Sequence, residues 1–245
     1  NPKPSEDDTY YYFNTLDLAI NSCNTNNNNV EIEIIKDELT MADTTIEDGK
    51  NITLNLNGNK ITLQGQMKIN ENATLELTNN SEEGEFIVAN NLVRVDSYNY
   101  GKFIVKNAIF NNNRNTSNGY IVNMGEMDVD NGKVEFVHNN AKLNIYNDGQ
   151  VGCRQNKIEG IDDCITHITS GTLEADIMNG ILNINSGDST EKTNVTIYAS
   201  SSGEGGKVNI NNVNLNTSLE SNLNIKFTGE LLIENSVIKG NITAS

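Results

Sequence analysis

Gly101-Lys102-Phe103-Ile104-Val105 decides how the rest of this chain is read, because the phrase returns along the sequence. It recurs as Gly84-Glu85-Phe86-Ile87-Val88, Gly132-Lys133-Val134-Glu135-Phe136, Gly206-Lys207-Val208-Asn209-Ile210 and Gly229-Glu230-Leu231-Leu232-Ile233. Each copy is a glycine followed by alternating apolar positions, the pattern of a short strand with one buried face entered through a turn. Alternating apolar residues fill the intervals: Ile32 and Ile34; Ile52, Leu54 and Leu56; Leu75 and Leu77; Leu143 and Ile145; Val195 and Ile197. Asn-Gly, Asp-Gly and Ser-Gly turns separate them, and no proline follows Pro4. Proline would delete a ladder hydrogen bond, so its absence suits continuously paired strands. The units return at intervals of roughly 20 residues, the length of one coil in a solenoid. The pattern predicts an all-β fold, a right-handed parallel β-helix with a short capping α-helix at its N-terminal end.

That helix is expected between Phe13 and Cys23, where Leu16, Ala19, Ile20 and Cys23 form an apolar stripe at helical spacing. Asn14 is its expected N-cap, with Asp17 placing negative charge near the positive helix end. Residues 1–9 read as a polar linker, 10–29 as the helical cap and 30–245 as a β-helix of roughly ten coils. Ten coils stacked ~4.8 Å apart make a rod roughly 45 to 50 Å long. The cluster Tyr10-Tyr11-Tyr12-Phe13 is expected to seal the first coil. Gly229 to Ser245 still reads as strand without a cap, so the native protein is expected to extend beyond this segment.

Charge narrows the partners. The chain carries 33 acidic against 17 basic residues, a net charge of -16, which disfavours nucleic acid and anionic lipid. No run approaches the ~20 apolar residues of a membrane span. Arginine occurs at Arg94, Arg114 and Arg154 alone, and asparagine fills 45 of 245 positions. Asparagines at inward turn positions are expected to stack into amide ladders, each donating to and accepting from the next. Cys23, Cys153 and Cys164 lack the close spacing of a zinc site; Cys153 and Cys164 either close a loop or, the expectation here, remain buried thiols. No cofactor is called for. Asp128 and Asp130, on one face of a strand, are the weak candidates for a shared Ca²⁺, with surface solvation as the plainer role.

The stretch Val30-Glu-Ile-Glu-Ile-Ile-Lys-Asp-Glu-Leu-Thr40, followed by Ile46-Glu-Asp-Gly-Lys-Asn-Ile-Thr-Leu-Asn-Leu-Asn-Gly-Asn-Lys-Ile-Thr62, resembles the opening coils of pectin-lyase-like β-helix domains in surface proteins of gut bacteria. The order of short helix, strand, Gly-Lys-Asn-Ile-Thr-Leu and Asn-Gly matches over the first third of the chain; the remainder shares the general coil character. The resemblance implies an extracellular, secreted or wall-attached protein whose β-helix serves as an adhesin, a stalk or a glycan-binding surface. It fixes no binding residues, because this scaffold carries many functions.

A second segment bears on chemistry. Gly160-Ile161-Asp162-Asp163-Cys164-Ile165 looks like the Asp-Asp-Cys-Ile stretch of polygalacturonase-type glycoside hydrolases, in which paired carboxylates act as general acid and base. The resemblance would give Asp162 and Asp163 those parts. The rest of that family's pattern is missing: there is no upstream Asn-Thr-Asp, no downstream Gly-His-Gly and no Arg-x-Lys pair. A solvated turn is the competing role for the two aspartates. For binding, Tyr98, Tyr100 and Tyr120 are the candidates, because aromatic rings on the lateral face of a solenoid offer sugars a stacking surface. The resulting expectation is a monomeric, non-catalytic adhesin-like β-helix at a bacterial surface whose partner is a host glycan or host surface protein. A carbohydrate-active enzyme centred on Asp162 and Asp163 and an inert spacer are the alternatives.

Overall fold

Alternation of inward apolar and outward polar side chains is realised coil after coil. The structure, a computed structural model, describes residues 3–4, 10–26, 28–37, 39–81, 84–88, 96–112, 119–155, 164–169, 171–179, 181–184, 194–200, 207–211, 214–217, 222–228, 230–234, 237–239 and 242–244. For residues 3, 4, 154 and 155 and those beyond 173 it describes the backbone alone. The protein is a parallel β-helix. One sheet holds ten parallel strands, from Asn29–Glu33 through Asn51–Asn55, Thr74–Thr78, Lys102–Lys106, Glu126–Asp130, Lys142–Tyr146, Ile165–Ile168, Ile181–Ile184 and Asn214–Thr217 to Val237–Lys239. A second, 16-stranded parallel sheet takes the chain back. In the early coils it contributes two short strands per coil, such as Lys60–Leu63 and Met67–Ile69. In the middle coils these merge into one longer strand, Lys133–Asn139 or Gly149–Gln155.

Register stacks like on like. Ile52, Leu75, Phe103, Met127, Leu143 and Thr166 form one inward column of the first sheet, and Leu54, Leu77, Val105, Val129, Ile145 and Ile168 form the next. All twelve are buried. Each large apolar side chain taken from water stabilises by about 1.5–3 kcal/mol, so a narrow core suffices when it is repeated. From the facing sheet Phe86 and Phe110 stack at 5.2 Å, and Phe103 meets Phe110 edge-on at 5.4 Å.

The glycine of the recurring unit has a steric cause. A Cβ on Gly132 would lie 2.6 Å from the carbonyl oxygen of Val105 in the coil below, and one on Gly101 would strike the carbonyls of Asn70 and Ala73. Asparagine has two structural uses. Asn57, Asn107, Asn131 and Asn147 hold positive φ at the corner leaving the first sheet, a conformation asparagine tolerates better than most residues. Inside the coil Asn99 Nδ2 donates to Asn123 Oδ1 at 2.7 Å, and Asn123 Nδ2 donates to Asn139 Oδ1 at 2.8 Å. The same Nδ2 groups also donate to the main-chain carbonyls of Glu126 and Lys142. The expected amide ladder is thus present, and it ties successive corners together.

The helix spans Leu16–Ser22, with Leu16, Ala19 and Ile20 buried. Its N-cap is Thr15, not Asn14: the Thr15 hydroxyl accepts from the Leu18 amide at 3.3 Å, and the Thr15 carbonyl accepts the first helical bond, from the Ala19 amide. The tyrosines before it do not seal the coil. Tyr10, Tyr11 and Tyr12 are exposed, and Tyr11–Tyr12 pairs antiparallel with Lys3–Pro4, while Leu16 and Ile20 fill the space the tyrosines were expected to cover. Lys50 reaches under the helix, its Nζ donating to the Ile20 carbonyl at 2.8 Å from a buried position. Cys23, Cys153 and Cys164 are buried thiols. Burial pushes the Cys23 thiol up in pKa, against the pull of nearby Lys50.

Candidate functional site

The second sheet carries one lateral face whose side chains differ from the polar average of the molecule. Strands Thr44–Ile46, Met67–Ile69, Ser97–Asn99 and Ile121–Asn123 lie parallel there, followed by the end of Lys133–Asn139. Because side chains alternate, one residue from each strand points outward. The register aligns Thr45, Lys68, Tyr98, Val122 and His138 in that outward row.

The candidate tyrosines fall in two groups on this face. Tyr98 and Tyr100 stack with centroids 6.0 Å apart and planes 10° from parallel. Lys68 Nζ lies over the Tyr100 ring, 5.6 Å from its centroid. Tyr120 stands at the other end of its strand, beside Asp96, whose carboxylate accepts from the Tyr120 amide at 2.9 Å. It packs edge-on against Phe136 at 6.0 Å and His138 at 5.9 Å. Tyr100 is exposed, whereas Tyr98, Tyr120, Phe136 and His138 are half-buried.

The pattern of the sequence places Phe136 inward, as the last apolar position of its repeat unit, and the structure places it outward. A β-bulge between Val134 and Val137 adds a residue and shifts the phase, so Val137 is buried instead. The bulge is held by buried Asn112, which donates to the Phe136 carbonyl at 2.7 Å and accepts from the Phe136 amide at 3.0 Å. Lys68 and His138 carried no signal of their own; both join the site through register.

A second polar group covers the outer face of the first sheet. Lys102 Nζ bridges Asp128 at 2.9 Å and Glu126 at 3.2 Å, and Lys142 meets the same Glu126 at 3.4 Å. Asn144 Nδ2 donates to Asp128 at 2.6 Å. Asp130 is served separately, by Lys106 at 3.8 Å and by Asn147. Asp128 and Asp130 therefore face lysines and amides rather than a common centre. Among the described residues no group of three or more His, Cys, Asp or Glu gathers as metal ligands. Burial pushes the Glu126 carboxyl up in pKa, but Lys102 and Lys142 more than reverse it, leaving it below the usual range. Burial and then Asp128 and Asp130 raise the Tyr146 phenol, while burial and Lys142 lower the His167 imidazole. Asp162 and Asp163 lie outside the described residues.

Fold and face together define a parallel β-helix bearing an aromatic and cationic strip on one lateral sheet. Comparison with models of known families, with curated proteins and with solved structures gives no match for this chain.

Proposed function

We propose that the chain is a non-catalytic glycan-binding module of adhesin type, displayed outside a bacterial cell and kin to the pectin-lyase-like surface domains its first coils resemble. The observation that carries this reading is the parallel Tyr98–Tyr100 pair with Lys68 over it, part of a face that also holds Tyr120, Phe136 and His138. Aromatic rings with one polar end match sugars, which present apolar C–H surface and hydroxyls together. Tyrosine is also among the residues that most often anchor interfaces. The 16-stranded sheet that carries the site holds Tyr98 on a strand paired on both sides, so the rings need little ordering on binding.

A glycan array probed with the protein tests the proposal, run beside a reducing-sugar release assay on the same saccharides. Binding without release is expected, and Tyr100→Ala should weaken it by about tenfold, the loss typical of an interface anchor. Its melting temperature should stay unchanged, because Tyr100 is exposed. Sugar release abolished by Asp162→Asn or Asp163→Asn would replace the proposal with the enzyme reading. Silence in both assays would favour a protein-binding module or spacer.

A further inference from the structure

The charge pattern around the tyrosine pair narrows the ligand class. In a chain of net charge -16, the outward row Thr45, Lys68, Tyr98, Val122 and His138 contains no acidic residue. Lys68 is exposed, and its described contact is the Tyr100 ring. Lys102, Lys106, Lys133 and Lys142 are instead engaged by carboxylates. Both flanks of the row are acidic. On one side stand Asp43 and Asp96, whose side chains accept from the Gln66 and Tyr120 amides; on the other stands Glu47, which accepts from Asn70.

Resting on the glycan-binding reading, we infer that this face recognises an otherwise neutral glycan ending in one carboxylate-bearing sugar of the sialic-acid class, with the sugar against Tyr98 and Tyr100 and its carboxylate on Lys68. A cation beside an aromatic surface offers a carboxylate a charge-assisted hydrogen bond where the sugar ring already finds its apolar contact. The acidic flanks select against a polyanion, since a chain of uronates lying across the face would bring its further charges over Asp43, Asp96 or Glu47. A single terminal acid meets the cation and leaves the flanks to neutral sugars.

The test is binding to immobilised 3′-sialyllactose, lactose and polygalacturonate, measured for the wild-type protein and for Lys68→Gln, Lys68→Arg and Tyr100→Ala. Sialyllactose should bind at least about tenfold more tightly than lactose, the worth of one charge-assisted hydrogen bond. Lys68→Gln should erase that difference, Lys68→Arg should restore it, and Tyr100→Ala should weaken both ligands. Equal binding of sialyllactose and lactose, a preference for polygalacturonate, or indifference to Lys68→Gln would overturn the inference while leaving glycan binding intact. Retention of no saccharide on these probes or on the array would overturn both readings.

Discussion

Asn123 shows what one residue contributes to this solenoid. Its amide is fully buried, accepts from Asn99 and donates both to Asn139 and to the Lys142 carbonyl. Asn123→Ala removes every one of these bonds and leaves one Nδ2 hydrogen of buried Asn99 without its acceptor, while Asn99 keeps the Glu126 carbonyl and Asn139 keeps the Ala141 amide. One unsatisfied buried group costs about 1–3 kcal/mol, and a loss of that size is expected. Urea denaturation would measure it; a midpoint within error of wild type would mean that the ladder is ornamental. At the exposed corner Asn131 plays the other part, holding φ at 47° while its Nδ2 donates to Asn107 Oδ1 at 2.9 Å. The high asparagine content thus serves both the interior and the turns.

Among the elements, the helix Leu16–Ser22 depends most on its surroundings. An isolated helix of this length is marginal in water, because nucleation outweighs the few hydrogen bonds gained. It persists by burying Leu16, Ala19 and Ile20 and by the Lys50 ammonium on the Ile20 carbonyl. Lys50→Met should keep most of the side-chain volume but leave the Ile20 carbonyl with the Cys23 amide as its donor, lowering stability by about 1 kcal/mol. Hydrogen exchange should then quicken at residues 16–22 and in the strand Leu39–Met41 that the helix contacts, with the central coils unchanged. Uniform acceleration along the chain would show that the cap is not a separate unit.

For the whole molecule, two groups whose pKa is lowered by folding make stability depend on acid. The His167 pKa is held below its ordinary value of 6.5, first by burial and then by Lys142, so the unfolded chain binds the proton more readily. Its contribution to stability is present above that value and is lost as pH falls through the lowered folded pKa. Glu126, also depressed in the folded state, contributes above about its ordinary 4.5 and loses that contribution at still lower pH. Stability should therefore decline in two stages on acidification from pH 7. Melting curves for His167→Gln should lack the first stage and keep the second; an unaltered first stage would assign it to another group.

The sequence by itself determined the repeat, the parallel pairing, the capping helix and the inward columns, because a period of two in apolar residues leaves a stacked strand one buried face. It also made the amide ladder legible, since an inward asparagine in a stacked coil must find its partner in the next coil. Local rules located the helix but not its N-cap: Asn14 and Thr15 both suit the role, and the choice of Thr15 depends on where the Leu16 stripe meets the first coil. The composition of the lateral face was a tertiary decision. Lys68, Tyr98 and His138 are far apart in the chain and become neighbours through register alone. Phe136 joins them because an extra residue, clamped by Asn112, reverses the alternation that the sequence pattern assumes. Side-chain phase depends on every residue that precedes it in the strand, so one bulge moves a ring from the core to the face, and only the folded coil fixes where that bulge falls.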